Sequence, residues 1–147
     1  MENVTMPITG GCLCGAIRYE ADDLPYEAGY CHCRSCQKSL GNLFGASVFF
    51  KHADVRFISK EPAWFSSSDI VKRGFCAECG SPIAYQRNDS DVFVIWIGTL
   101  DEPAAFEPQV HYWSESKIPW DDIQANLPDV TTSKLSYKVA KGEADDK

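Results

Sequence analysis

The chain has 147 residues, of which 44% are hydrophobic and 12% aromatic, enough to build one ordinary core and to exclude global disorder. Its 14 Lys and Arg against 21 Asp and Glu give a formal net charge of -7, so its surface repels phosphate backbones and nucleic acid is not an expected partner. No run approaches the roughly 20 apolar residues that span a bilayer, and the first ten residues carry no secretion signal, so we expect a cytoplasmic protein with no membrane partner.

Short β-rich runs between turn signals predict an all-β fold with short helical turns. The one predicted helical turn, Arg34–Leu40, is ended by Gly41. The run at residues 92–97 (VFVIWI) is apolar throughout, which is typical of a strand covered on both faces. In chain order the predicted strands are residues 16–20, 46–51, 55–58, 70–75, 83–86, 92–97 and 109–113.

The pattern predicts one domain over residues 1–127 and a polar, flexible tail over residues 128–147. The last seven residues (KGEADDK) carry no apolar periodicity, which is typical of a frayed end.

Three clusters contain all seven cysteines. In a reducing compartment, an odd number of cysteines at C-x-C and C-x-x-C spacing indicates metal binding rather than disulfides. The clusters are residues 12–15 (CLCG), 31–36 (CHCRSC) and 76–80 (CAECG).

The first and third clusters predict a closed structural zinc site. Such a site has four tetrahedral ligands, usually supplied as two chelating pairs from distant segments. Both pairs end in a glycine, Gly15 or Gly80, which can turn backbone N–H groups toward the thiolates. The predicted ligands are Cys12, Cys14, Cys76 and Cys79.

The middle cluster predicts a second zinc ion in an open site. Cys31, Cys33 and Cys36 lie within six residues of one another, and three protein ligands leave zinc the fourth position that catalytic sites use. We therefore predict two zinc ions per chain, with these three cysteines as the catalytic residues.

Two alternatives remain for the second site. Either His32, His52 or His111 completes the tetrahedron and the ion is purely structural, or one of the thiols is a buried apolar group and the chain holds one zinc. His32 lies between two of the cysteines, and strand alternation predicts that it points away from the metal.

The three cysteine motifs resemble those of the glutathione-dependent formaldehyde-activating enzyme family. The matching segments are residues 11–19 (GCLCGAIRY), 31–38 (CHCRSCQK) and 73–82 (RGFCAECGSP), and a later segment is echoed by His111, Ser116, Lys117 and Trp120. The resemblance implies a zinc-stapled β-tent of antiparallel sheets. The family in turn resembles centromere protein V. It also implies a structural zinc on the first and third motifs and a labile zinc on the second.

The same resemblance implies a carbon–sulfur lyase of the S-(hydroxymethyl)glutathione synthase type, with glutathione and formaldehyde as partners. An open zinc suits this chemistry, because it lowers the pKa of a thiol and polarises a carbonyl. The alternative is a non-catalytic zinc-binding module that serves a protein partner. Such a module is expected to carry a long basic or proline-rich extension, and this acidic sequence has none, which favours the enzyme.

An anionic substrate of this acidic chain needs local positive charge. Arg34 and Lys38 lie beside the middle cluster and could supply it, although exposed basic residues need no function. Trp96, Trp113 and Trp120 are expected in the core, and Ser81 and Pro82 are expected to end the metal loop as turn residues.

Overall fold

The computed structural model describes residues 3–122 and 126–130, and this part of the chain is mostly β, as predicted. The helix α1 (Arg34–Leu40) follows the third strand. In chain order the strands are β1 (Ile8–Gly11), β2 (Arg18–Ala21), β3 (Glu27–Cys31), β4 (Gly45–Lys51), β5 (Val55–Phe57), β6 (Ala63–Ser66), β7 (Val71–Phe75), β8 (Pro82–Arg87), β9 (Val92–Trp96), β10 (His111–Tyr112) and β11 (Asp129–Val130).

The strands form two sheets. The smaller has the order β1-β2-β5, and the larger has the order β11-β10-β3-β4-β9-β8-β7-β6. Neighbouring strands are antiparallel except at β10, which runs parallel to both β3 and β11. The expected antiparallel arrangement is therefore wrong at this edge. The long connection from β9 allows β10 to enter in the parallel direction.

Strand β9 lies between β4 and β8 in the larger sheet, and all five of its residues are buried. Alternate side chains belong to two different core clusters. Phe93 and Ile95 pack in the first cluster, whereas Val94 and Trp96 pack in the second. The prediction of a strand covered on both faces is confirmed.

Helix α1 begins and ends at the predicted residues. The Cys33 Sγ caps its first turn by accepting a hydrogen bond from the Cys36 N–H at 3.2 Å. Gly41 ends it in the left-handed region, at φ 61°. Glycine adopts this conformation with less strain than other residues, which is why Gly41 correctly predicted the end of the helix.

Four described strands were not predicted, namely β1, β3, β6 and β11. The run predicted at residues 109–113 shortens to the two residues of β10. The other predicted runs match β2, β4, β5, β7, β8 and β9, with ends shifted by one or two residues.

No helix in the described ranges is long and apolar enough to cross a membrane. The domain boundary at residue 127 stays a prediction. Beyond it, β11 pairs with β10, and residues 131–147 of the predicted tail lie outside the described residues.

Candidate metal centres

The four-cysteine cluster, Cys12, Cys14, Cys76 and Cys79, joins the loop after β1 to the loop after β7. The four sulfurs all lie within 4.8 Å of one another. The Sγ atoms of Cys12 and Cys14 are 3.5 Å apart, and those of Cys14 and Cys76 are 3.8 Å apart. Tetrahedral bonds of about 2.3 Å to zinc put sulfurs about 3.8 Å apart. The spacing therefore fits a single tetrahedral zinc ion.

Each loop of this cluster turns on a glycine with positive φ. Gly15 has φ 83° and Gly80 has φ 77°. The N–H of Gly80 donates to the carbonyl of Cys76 at 2.8 Å, and the N–H of Gly15 donates to that of Cys12 at 3.2 Å. Both cysteine pairs are thus presented by closed turns of the kind that the glycines predicted.

Ser81 links the two loops. Its Oγ accepts a hydrogen bond from the Leu13 N–H at 3.1 Å and lies 3.1 Å from the Cys79 Sγ. Hydrogen bonding to the Ser81 hydroxyl, helped by the backbone of the same residue, lowers the pKa of Cys79 to about 6. From the sequence Ser81 was expected only to end a turn, and this contact could not be predicted because it depends on how the two loops meet.

The three-cysteine cluster, Cys31, Cys33 and Cys36, lies where β3 gives way to α1. Its three sulfurs are also within 4.8 Å of one another. Cys33 is fully buried and Cys36 is 3% exposed. The neighbouring thiols of Cys33 and Cys36, followed by burial, raise the pKa of Cys31 well above its usual value. Several thiolates in so small a space repel one another. A divalent cation bound between them would offset this repulsion and favour the deprotonated thiols.

The histidine alternatives find no support in this geometry. In the described part of the chain the cluster comprises three sulfurs and no histidine nitrogen. The His32 Nε2 lies 2.7 Å from the His111 Nδ1, and both side chains are buried. The His52 ring packs instead against Phe93, with ring centroids 5.4 Å apart. The donor set therefore fits a zinc ion with one position not filled by these residues.

Two spaces lie near the three-cysteine cluster, and only the first is lined by its cysteines. The first, the chamber, has a volume of about 20 Å³ and is bounded by Cys31 and Cys36 together with Phe49, Trp96 and Tyr112. A volume of this size holds about one water molecule. The second, the cleft, has a volume of about 480 Å³ and includes Lys38, Arg73, Phe75 and Trp96 in its walls. Trp96 lines both the chamber and the cleft.

Arg73 connects the cleft to the cluster. Its Nη1 lies 3.7 Å from the Cys36 Sγ and 3.3 Å from the Ser39 Oγ. Its Nε donates to the Ser67 Oγ at 3.2 Å, and the guanidinium lies 5.1 Å from the centroid of the Tyr85 ring. Arg73 lies within the third cysteine motif, but its role could not be predicted from the sequence, since its contact with Cys36 depends on strand register.

The basic residues expected near the second site and the tryptophans expected in the core only partly lie where they were predicted. Lys38 lines the cleft, whereas Arg34 donates a hydrogen bond to the Gln37 side chain. Trp96 and Trp113 are buried, as expected. Trp120 is 74% exposed, so its expected place in the core is wrong. It follows the short turn after β10, where the described chain leaves the sheet.

The fold and the two clusters define a β-sheet protein with two thiolate sites that could bind zinc. A comparison with family models supplies the family. The model of the glutathione-dependent formaldehyde-activating enzymes matches residues 7–116, and the chain belongs to this family.

Comparisons with solved structures and curated proteins gave different results. A crystal structure of a Rhodobacter sphaeroides protein matches with a TM-score of 0.54 and 17% sequence identity. The match covers 83% of this chain and 99% of that one, and it supports the fold. No curated protein matches.

Proposed function

We propose that the chain is a zinc-dependent carbon–sulfur lyase of the S-(hydroxymethyl)glutathione synthase type, acting at Cys31, Cys33 and Cys36. It would join a glutathione-like thiol to a formaldehyde-like aldehyde and cleave the product in the reverse direction. The sulfur forms a bond to the carbonyl carbon, and the thiol proton ends on the carbonyl oxygen. The observation that carries this proposal is the three-sulfur donor set, of which Cys31 and Cys36 line a chamber and which Arg73 connects to a cleft.

The two clusters would divide the work. Cys12, Cys14, Cys76 and Cys79 would enclose one zinc completely and contribute folding free energy. Zinc bound at the three-cysteine cluster would lower the pKa of the incoming thiol and polarise the carbonyl. Cys31, Cys33 and Cys36 would hold that ion, and the mostly apolar walls of the chamber would exclude bulk water from the reacting groups.

The cleft supports an anionic thiol as the substrate. Glutathione carries two carboxylates, and the chain as a whole has a formal net charge of -7. Lys38 and Arg73 nevertheless both line the cleft next to the cluster. Local positive charge in an acidic protein would attract such a substrate to this side of the site. A reducing cytoplasm would keep the seven thiols available for metal.

The substitution Cys33→Ser tests the proposal. A serine hydroxyl can still cap α1, so the helix is retained, but it is a poor zinc ligand compared with a thiolate. Since thiols and formaldehyde also react without an enzyme, the readout is the exchange rate between formaldehyde and S-hydroxymethylglutathione, measured by NMR with and without protein. Wild-type protein should accelerate exchange, and Cys33→Ser should not.

Metal content and thermal unfolding are the controls for this variant. The Cys33→Ser protein should keep one zinc and a cooperative transition. Full acceleration by the variant would contradict the assignment of the active site. A wild-type protein that holds two zinc ions but accelerates exchange with no thiol and aldehyde pair would instead support the binding-module alternative.

A further inference from the structure

The two cysteine clusters lie in different dielectric surroundings. In the four-cysteine cluster Cys12 and Cys76 are buried, but Cys14 is exposed and Cys79 is half-buried, so water can solvate part of the thiolate charge. In the three-cysteine cluster Cys33 and Cys36 are almost completely buried and Cys31 is half-buried. Three thiolates and one Zn²⁺ leave one net negative charge, and a thiolate substrate would add another. Burying such charge is unfavourable unless a cation lies beside it.

Arg73 is in position to provide that cation. It is 7% exposed, and the Nη1 atom of its guanidinium lies 3.7 Å from the Cys36 Sγ. The hydroxyls of Ser39 and Ser67 fix its orientation through Nη1 and Nε. Because the guanidinium is held from several sides, its charge stays next to the sulfur at little cost in side-chain entropy.

A second buried arginine provides a contrast within the same sheet. The Arg87 guanidinium donates to both carboxylate oxygens of Asp89, at 3.1 Å and 2.9 Å. Arg87 thus pairs with a carboxylate, whereas the Arg73 guanidinium contacts a thiol of the candidate metal centre. The two residues allow the loss of a buried arginine to be separated from the loss of charge at the cluster.

We propose that Arg73 is a positioning residue of the three-cysteine site, which orients the Cys36 sulfur and balances the negative charge of the metal-bound thiolates. This inference rests on the zinc that the proposed function places there. It explains how a buried anionic site can accept the thiolate of a substrate. Arg73 acts through Cys36 and takes no part in bond making.

The test measures zinc affinity rather than turnover. Full-length protein with the four-cysteine site loaded is titrated with zinc against a chromophoric chelator, for wild type, Arg73→Met, Arg73→Lys and Arg87→Met. Removing a residue that supports a metal ligand typically weakens binding about 10–100-fold, and we expect Arg73→Met to lie in this range. Arg73→Lys, which keeps the charge, should recover most of the affinity, and Arg87→Met should keep it.

Cobalt gives a second readout of the same site. The thiolate-to-cobalt charge-transfer band should increase when a thiol is added to wild type, and Arg73→Met should need a higher thiol concentration for the same increase. If Arg73→Met does not fold, Arg73→Gln keeps hydrogen bonding without the charge and replaces it. Wild-type zinc affinity in the uncharged variant would overturn the inference. Because no turnover is needed, this result is independent of whether the protein is a lyase.

Discussion

The Cys33 side chain takes part in two structures at once. Its Sγ accepts the Cys36 N–H at the start of α1, and it is one of the three sulfurs of the candidate open site. The amide donor stabilises a negative sulfur, as does the positive end of the helix. The start of the helix and the donor set are therefore coupled, and a change at this residue affects both.

Gly80 allows a residue-scale prediction. At φ 77° an alanine is strained, although its Cβ would meet no atom within 4 Å. Gly80→Ala should therefore cost about 1–2 kcal/mol of stability from the backbone alone and should also weaken zinc retention, because the turn presents Cys79. Chemical denaturation and chelator competition measure the two effects.

Gly41→Ala is the matched control for this change. Gly41 has φ 61° and equally open surroundings, but it ends α1 rather than a turn of the four-cysteine cluster. The Gly41→Ala protein should have its free energy of unfolding lowered by a similar amount but should keep its structural zinc. Equal zinc retention by the two alanine variants would show that the Gly80 turn does not serve the metal.

At this scale the sequence was informative about cysteines and uninformative about their neighbours. Chelating pairs at short spacing must act together, so the two clusters could be predicted. The contacts of Ser81 and Arg73 with sulfur depend on how separate loops and strands are placed. No local pattern encodes such contacts, and so they were missed.

At the scale of elements, Asp101 ties the smaller sheet to the chain that follows β9. Its carboxylate accepts hydrogen bonds from Arg18 in β2 and from the Thr9 hydroxyl in β1, the latter at 2.6 Å. The Arg18 hydrogen bond, followed by that of Thr9, lowers the pKa of Asp101. With side-chain exposures of 37% and 43%, this ion pair is screened and worth at most about 1 kcal/mol.

Asp101→Asn should show the pH dependence that this shift implies. A carboxyl whose pKa is lower in the folded state stabilises the protein above its unfolded pKa of about 3.9 and loses that contribution as the pH falls through the folded pKa. The difference in unfolding free energy between wild type and variant should therefore be present at neutral pH and shrink below about pH 4. Urea denaturation across this range measures it.

An exposed aspartate provides the comparison for this series. Asp69→Asn, in the turn before β7, should leave the unfolding free energy nearly unchanged at neutral pH. A difference between wild type and Asp101→Asn that persists undiminished in acid would contradict the role given to the carboxylate charge.

Among the elements, those with strong local signals could be predicted. Helix α1 has a capping glycine, and β9 is a continuous apolar run. Strand β3 (EAGYC) was missed because its Gly29 lowers β propensity. The structure needs that glycine, since a Cβ there would lie 2.9 Å from the Tyr112 ring. Strand β3 therefore depends on tertiary packing, which cannot be predicted from a local sequence pattern.

For the whole molecule, the two cysteine clusters belong to opposite faces of the larger sheet. Cys12 and Cys76 pack in the core cluster that contains Phe93, whereas Cys33 and Cys36 pack in the one that contains Val94. The four-cysteine cluster joins the loop between β1 and β2 to the loop between β7 and β8, and so connects the two sheets. A closed site that staples the fold and an open site on the other face can therefore serve separate purposes.

Anomalous diffraction at the zinc absorption edge, from crystals of zinc-loaded full-length protein, tests this arrangement most directly. We predict two peaks per chain, one about 2.3 Å from the four sulfurs that join the sheets and one beside Cys31, Cys33 and Cys36 with a fourth position that no protein side chain fills. An absence of zinc between Cys12, Cys14, Cys76 and Cys79, or a histidine that completes the second site, would contradict this arrangement.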